Sequence, residues 1–301
     1  MKQKEIPMVF HKKTLSLCIC LLSFCLSTFA NEIPTKDDQW DGQQYLNNSD
    51  LQYQWATSYI QKLQLGGHEK ILDIGCGDGR VTALVAQSLP HGFVLGIDAS
   101  ESMLQIAQNL KDRVHLGNLD FIRRDAINLG FENEFDFIVS FSCFHWIPDH
   151  FAALQAVEKA LKPNGKVFLY FAPDHGRDRF DHAIHTVVNS PKWAHYFSDF
   201  SNPFSLVTPS KFAAYAEEAG LLLKCIEIIT VDEVFPNKTA FTAWMTGWMS
   251  HLKELPKELH QEFLDEIIDC YLKKHPMDAE NKLHYIDYWM EVELLKSDKI
   301  Q

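Results

Sequence analysis

From residue 70 onward, short apolar runs alternate with amphipathic stretches of helical period, and few folds accommodate that order. Residues 70–75 (KILDIG), 93–98 (FVLGID), 119–125 (LDFIRRD), 135–142 (FDFIVSFS) and 165–172 (GKVFLYFA) read as strands. Runs this short and this continuously apolar are what strands covered on both faces require. Residues 79–89 place Val81, Leu84, Val85 and Leu89 on one helical face and end before Pro90. Residues 100–110 form a second helix opened by Ser100, and residues 149–161 a third, opened by Asp149 and closed by Lys162-Pro163-Asn164-Gly165. Thr208-Pro209 opens another helix that stops at Gly220. Residues 221–235 and 284–295 read as two last strands, suited to an antiparallel addition. The expected class is therefore α/β: a doubly wound, mostly parallel, seven-stranded sheet with helices on both faces.

Residues 174–207 and 236–283 break the alternation. They are rich in aromatics (Trp193, Tyr196, Phe197, Phe200, Phe204, Phe241, Trp244, Trp248) and are expected to be helical insertions that cap one end of the sheet. With no internal repeat and no low-complexity linker, residues 31–301 read as one domain with its cap.

The first thirty residues read differently. Residues 1–13 hold four lysines and one glutamate, residues 14–30 carry no charge, and Thr28 and Ala30 supply small side chains before Asn31. That layout is expected to be a secretory signal peptide, with an uncleaved membrane anchor as the second reading. Cys18, Cys20 and Cys25 lie inside the apolar run; Cys76, Cys143, Cys225 and Cys270 are far apart and read as small buried apolar residues, not as a disulfide framework. The 14 histidines show no metal-binding spacing, so no metal is expected. The chain has 28 basic and 40 acidic residues, a net charge of -12, and no basic run, which argues against a nucleic-acid partner.

Candidate chemistry gathers where the strands end, the position at which open doubly wound sheets bind ligands. Asp73-Ile74-Gly75-Cys76-Gly77-Asp78-Gly79 joins the first strand to the first helix, and its glycines permit a tight turn and close backbone approach to a ligand. Asp98 ends the second strand, placed to hold a ribose hydroxyl pair. Asp125-Ala126 ends the third, and Phe141-Ser142-Cys143-Phe144-His145-Trp146 the fourth. A dinucleotide fingerprint would need glycine at position 80, where Arg80 stands, and an acid at Asp73 suits a cationic ammonium better than a pyrophosphate.

In LDIGCGDG, GIDAS, RRDA and FDFIVSFSCFHWI the chain resembles the class I S-adenosylmethionine-dependent methyltransferases, over about residues 70–172. The resemblance implies a Rossmann-like methyltransferase fold and S-adenosylmethionine as cofactor. It implies that Asp73 and the Gly75, Cys76 and Gly77 backbone hold the methionine end, and that Asp98 holds the ribose with Ala99 beside it. Asp125 is implied to accept from the adenine amino group, Ala126 to offer a backbone donor, and Phe141 to line the cofactor. That cofactor is made in the cytosol, so the export signal stands against a cytoplasmic alternative.

HWIPDH (145–150) and YLNNSDLQ (45–52) further resemble the juvenile-hormone-acid and trans-aconitate methyltransferase group, which methylates carboxylates of small molecules. By that resemblance Gln52 and Trp146 would hold the substrate carboxylate, although Gln52 also reads as an ordinary helix residue and Trp146 as core. The implied acceptor is a small carboxylic acid with an apolar part. A carboxylate is ionised near neutral pH and needs no general base. For a phenol or alcohol acceptor His145 would be the candidate base; otherwise it reads as a packed or hydrogen-bonded histidine. A hydroxyl or amine acceptor, or a cofactor-binding module without chemistry, are the competing readings, and oligomeric state is open.

Overall fold

The computed structural model describes residues 40–176 and 179–297, so the segment read as a signal peptide or anchor lies outside the described residues. Among the described residues seven strands form a single sheet: β1 (Lys70–Ile74), β2 (Phe93–Asp98), β3 (Leu119–Arg123), β4 (Phe135–Phe141), β5 (Leu161–Phe171), β6 (Leu221–Phe235) and β7 (Leu283–Lys296), in the order β3-β2-β1-β4-β5-β7-β6. The first five strands are parallel, and β7 runs antiparallel between β5 and β6. The expected doubly wound fold is what forms.

The helices are α1 (Gly42–Asn48), α2 (Asp50–Ile60), α3 (Arg80–Gln87), α4 (Glu101–Val114), α5 (His150–Ala160), α6 (Phe180–Val188), α7 (Pro209–Glu218), α8 (Lys238–Thr246) and α9 (His260–Leu272). Successive strand residues point to opposite faces, so Ile71 packs in one core with Val85 and Ala107, while Leu72 packs in the other with Leu154 and Val157. Side-chain caps set the helix starts: Ser100 accepts from Met103 N, Asp149 from Ala152 N and Thr208 from Lys211 N. Each such cap contributes about 1 kcal/mol.

The order reverses at β1. From β1 the chain winds outward through β2 to β3, and then returns to β4 on the other flank. Adjacent connections therefore leave in opposite directions at the β1/β4 boundary, and a crevice opens above it.

Some boundaries differ from the sequence reading. The fifth strand starts at Leu161, not at residue 165, because Leu161 pairs with Phe135 before a register shift brings Lys166 opposite Phe137. Helix α4 continues past residue 110 to Val114 and closes on His115 in the left-handed region. The segment 174–207 contains α6 and a short 3-10 turn at Ala194–Tyr196 followed by irregular chain, and 236–283 contains α8, two 3-10 turns and α9. Among the described residues no helix is long and apolar enough to cross a membrane.

Candidate active site

The turn after β1 is shaped by its glycines. Gly75 has φ 75° and Gly77 φ 52°, in the left-handed region that side chains disfavour. Gly75 N and Cys76 N both donate to Ile97 O, at 2.8 and 2.9 Å, which folds the turn over the end of β2. A Cβ on Gly75 would stand 2.2 Å from Cys143 Sγ, so only glycine fits there. Cys143 is held in that position by Ser142, whose own φ of 56° is unusual for a residue with a side chain. Holding it costs on the order of 1 kcal/mol, a strain that concentrates at functional sites.

Two carboxylates attend this turn. Asp98 Oδ2 accepts from Gly77 N and Oδ1 from Ser100 N, both at 2.9 Å, so two backbone donors fix the plane of the carboxylate. Asp73 is buried and its Oδ2 accepts from Thr82 Oγ1 at 2.6 Å. Burial raises the Asp73 pKa to about 7, with the Thr82 bond opposing and the charge of Asp98 adding to the rise. Burial likewise pushes the Cys76 thiol well up, which keeps it protonated and inert. Further along, Asp125 Oδ1 accepts from Ile127 N at 3.1 Å, a turn that presents Ala126.

Above these groups lies a cavity of about 500 Å³. Ten of the twelve residues singled out from sequence line it: Gly75, Gly77, Asp98, Ala99, Asp125, Ala126 and Phe141 at one end, and Gln52, His145 and Trp146 further in. Asp73 and Cys76 do not; they line a smaller pocket of about 40 Å³ that shares Gly75, Gly77, Gln52 and Phe141 with the main cavity. Arg80 closes the outer side of that pocket, bonding Asp50, Ser49 and Asp78 and so fastening α2 to the glycine turn.

The inner half of the cavity is built by segments distant in sequence. Gln52, on α2, accepts from Trp244 Nε1 through Oε1 at 3.2 Å. An indole N–H can only donate, so the amide oxygen is fixed toward Trp244 and the NH₂ group is left for the cavity. Trp146, half-buried on the 3-10 turn after β4, lies between Trp40 (ring centroids 4.9 Å) and Phe204 (4.5 Å).

His145 requires a correction. Its Nδ1 accepts from Ala172 N at 3.3 Å, and burial lowers its pKa to about 3, with Arg179 and His150 contributing. The ring is neutral with its proton on Nε2, so His145 is a hydrogen-bond donor and not the base proposed for a phenol or alcohol acceptor.

Several cavity residues carried no legible sequence signal as site residues. Tyr45 of α1 sits beside Gly77, its phenol pKa raised by burial and by Asp78. Arg179 pairs with Asp287 at 3.2 Å, and Tyr285 Oη donates to the same Asp287 oxygen at 2.6 Å. Arg179 and Asp287 are 108 positions apart, and Asp287 is one of three acids in β7, so no local pattern singles it out.

Comparison with known proteins bears on the same region. Residues 71–165 match the family model described as "Methyltransferase domain". The trans-aconitate 2-methyltransferase of Rhodopseudomonas palustris strain BisB18 is 26% identical over 210 residues, spanning 69% of this chain and 79% of that protein. The demethylmenaquinone methyltransferase of Staphylococcus saprophyticus is 31% identical over 115 residues, 38% of this chain and 48% of that protein. Among solved structures, phosphoethanolamine N-methyltransferase 2 of Haemonchus contortus in complex with S-adenosyl-L-methionine aligns with a TM-score of 0.58 at 19% identity, over 88% of this chain and 59% of that one.

Proposed function

We propose that this chain, a class I S-adenosylmethionine-dependent methyltransferase, methylates the carboxylate of a small molecule with an apolar body. The observation that carries the acceptor class is the Ala172 N–H bond into His145 Nδ1. It turns the one candidate base among the singled-out residues into a donor, and it leaves three donors, Gln52 Nε2, His145 Nε2 and Trp146 Nε1, on residues that line the cavity. Three donors suit an acceptor that arrives as an oxyanion. A carboxylate does so near neutral pH, whereas a phenol or an ammonium must first lose a proton. The relatives named trans-aconitate 2-methyltransferase support the same class.

The outer half fits the cofactor on grounds internal to the structure: a turn that a Cβ would fill, a carboxylate fixed by backbone donors, and a buried acid without a buried cation beside it. In this reading the backbone at Gly75 and Gly77 receives the methionine end, with Asp73 countering its ammonium. Asp98 accepts from the ribose hydroxyls, and Asp125 and Ala126 meet the adenine. The sulfonium of S-adenosylmethionine supplies an already activated methyl group. What remains for the protein is position. Gln52, His145 and Trp146 hold the carboxylate in one orientation, while Trp55, Phe180 and Trp244 surround the apolar body and exclude water. Alignment of this kind contributes roughly 7–11 kcal/mol.

The test is incubation of the purified protein with labelled cofactor and a panel of acids, phenols and amines. A base-labile methyl ester is the expected product. Label appearing only on phenols or amines overturns the carboxylate assignment.

A further inference from the structure

The outer strand of the sheet is open along its length. β6 runs for 15 residues and is bonded on one side to β7, from Leu221 to Phe235. Its other side pairs with no strand among the described residues. Such an edge presents unpaired N–H and C=O groups to any strand that lies beside it, and edges are usually kept short or broken by bulges. β6 has a register shift between Leu223 and Cys225, close to its start, and from Cys225 to Phe235 its pairing with β7 is unbroken.

The exposed apolar surface gathers on this same strand. Leu222, Leu223 and Val234 are 46%, 41% and 49% exposed, and they are the exposed large apolar side chains among the described residues. Two stand near one end of β6 and one near the other. Scattered, such residues need no explanation; collected on one open edge, they mark a contact surface.

Charge decides what lies there. Lys224 is exposed and follows the two leucines, while Asp232, also exposed, precedes Val234. Asp232 meets His284 of β7 through Oδ1 at 2.8 Å. The strand is thus apolar at both ends, basic toward one and acidic toward the other, which makes it complementary to itself reversed. Ile228 is its middle residue. An antiparallel copy turned about that point brings Leu222 and Leu223 toward Val234 and Lys224 toward Asp232, and does so twice. A parallel copy would set Lys224 against Lys224 and Asp232 against Asp232.

We propose that β6 pairs antiparallel with β6 of a second copy of this chain, joining the two sheets into one across a two-fold axis. Backbone hydrogen bonds along the edge supply affinity, and the side chains at the two ends set direction and register.

The experiment is sedimentation equilibrium of the purified full chain across the micromolar range, and twice the mass of one chain is the expected result. Leu222→Lys with Val234→Lys puts a charge at each apolar end and should raise the dissociation constant about tenfold or more. Lys224→Glu alone and Asp232→Lys alone should each weaken self-pairing. An equimolar mixture of those two variants should recover the dimer, because each copy then offers the other an opposite charge at both ends; that recovery also excludes misfolding as the cause of the loss. A monomer throughout the range overturns the inference and leaves the edge to a different chain. A dimer indifferent to Leu222→Lys with Val234→Lys overturns it and places the contact elsewhere. A mixture that associates no more tightly than either single variant overturns the antiparallel pairing.

Discussion

Ala172 donates its backbone N–H to Nδ1 of His145, and this one contact determines which ring nitrogen carries the proton. Because the ring is also buried, it stays neutral through the physiological range, with a pKa of about 3. At saturating cofactor and acceptor, the rate should show no inflection from His145 between pH 6 and 8. His145→Ala should lower kcat/KM by about tenfold to a hundredfold, the loss of a buried hydrogen bond to a charged group, without altering the shape of the profile. A general base would instead cost a factor of ten per unit below its pKa.

Asp73, proposed to face the ammonium of the cofactor, titrates near neutrality. Its pKa of about 7 lies above the 3.8 of an unperturbed aspartate, so the folded protein keeps a proton that the unfolded chain has lost. The associated stability is present below pH 3.8 and is lost as pH rises through about 7, on the order of a few kcal/mol. A cationic ammonium favours the ionised acid. Cofactor affinity should therefore rise as pH goes from 5.5 to 7.5, with a proton released on binding below pH 7. Calorimetry in buffers of different ionisation enthalpy reads both, and Asp73→Asn should abolish the proton release.

The two halves of the cavity should separate by mutation. Asp98→Ala removes the carboxylate that Gly77 N and Ser100 N hold in place, and should eliminate measurable cofactor binding in calorimetry. Gln52→Ala and Trp146→Phe should leave cofactor affinity nearly intact and lower kcat/KM for an acid by about tenfold each. Loss of cofactor binding in either of these two would move the residue to the other ligand.

Gly75→Ala should be severely destabilising, because the new Cβ meets Cys143 Sγ at 2.2 Å and φ is 75°. A loss of about 3 kcal/mol corresponds to a melting temperature lower by roughly 6–12 °C in a chain of this size. Adding Cys143→Gly removes the clash but not the backbone strain. The double variant should recover more than half of the loss, and simple additivity of the two substitutions would contradict the contact.

The central strands were legible because each is a short, nearly unbroken apolar run, and the glycine-turn end of the cavity because it is local: glycines, then an acid at a fixed distance, each at a strand terminus. Leu161 was missed as a strand start because the Pro163-Asn164-Gly165 turn behind it reads as a boundary, and only its pairing with Phe135 reveals otherwise. Helices α1 and α2 have only a weakly polarised pattern, since α2 places polar residues such as Gln52 against the cavity. The acceptor end was the least legible. Gln52 meets Trp244 across 192 positions and Arg179 meets Asp287 across 108, and no local pattern encodes such meetings.

The position of β7 has a consequence for how the molecule comes together. It is the last described strand in the chain, yet it sits inside the sheet, bonded on one side to β5 and on the other to β6. During synthesis β5 must wait with one row of backbone donors and acceptors bare until residues 283–296 emerge, a long-range closure that is intrinsically slow and exposed to mispairing. Asp287 and Trp289 arrive on that same strand, so sealing the open flank and finishing the wall of the cavity are one event.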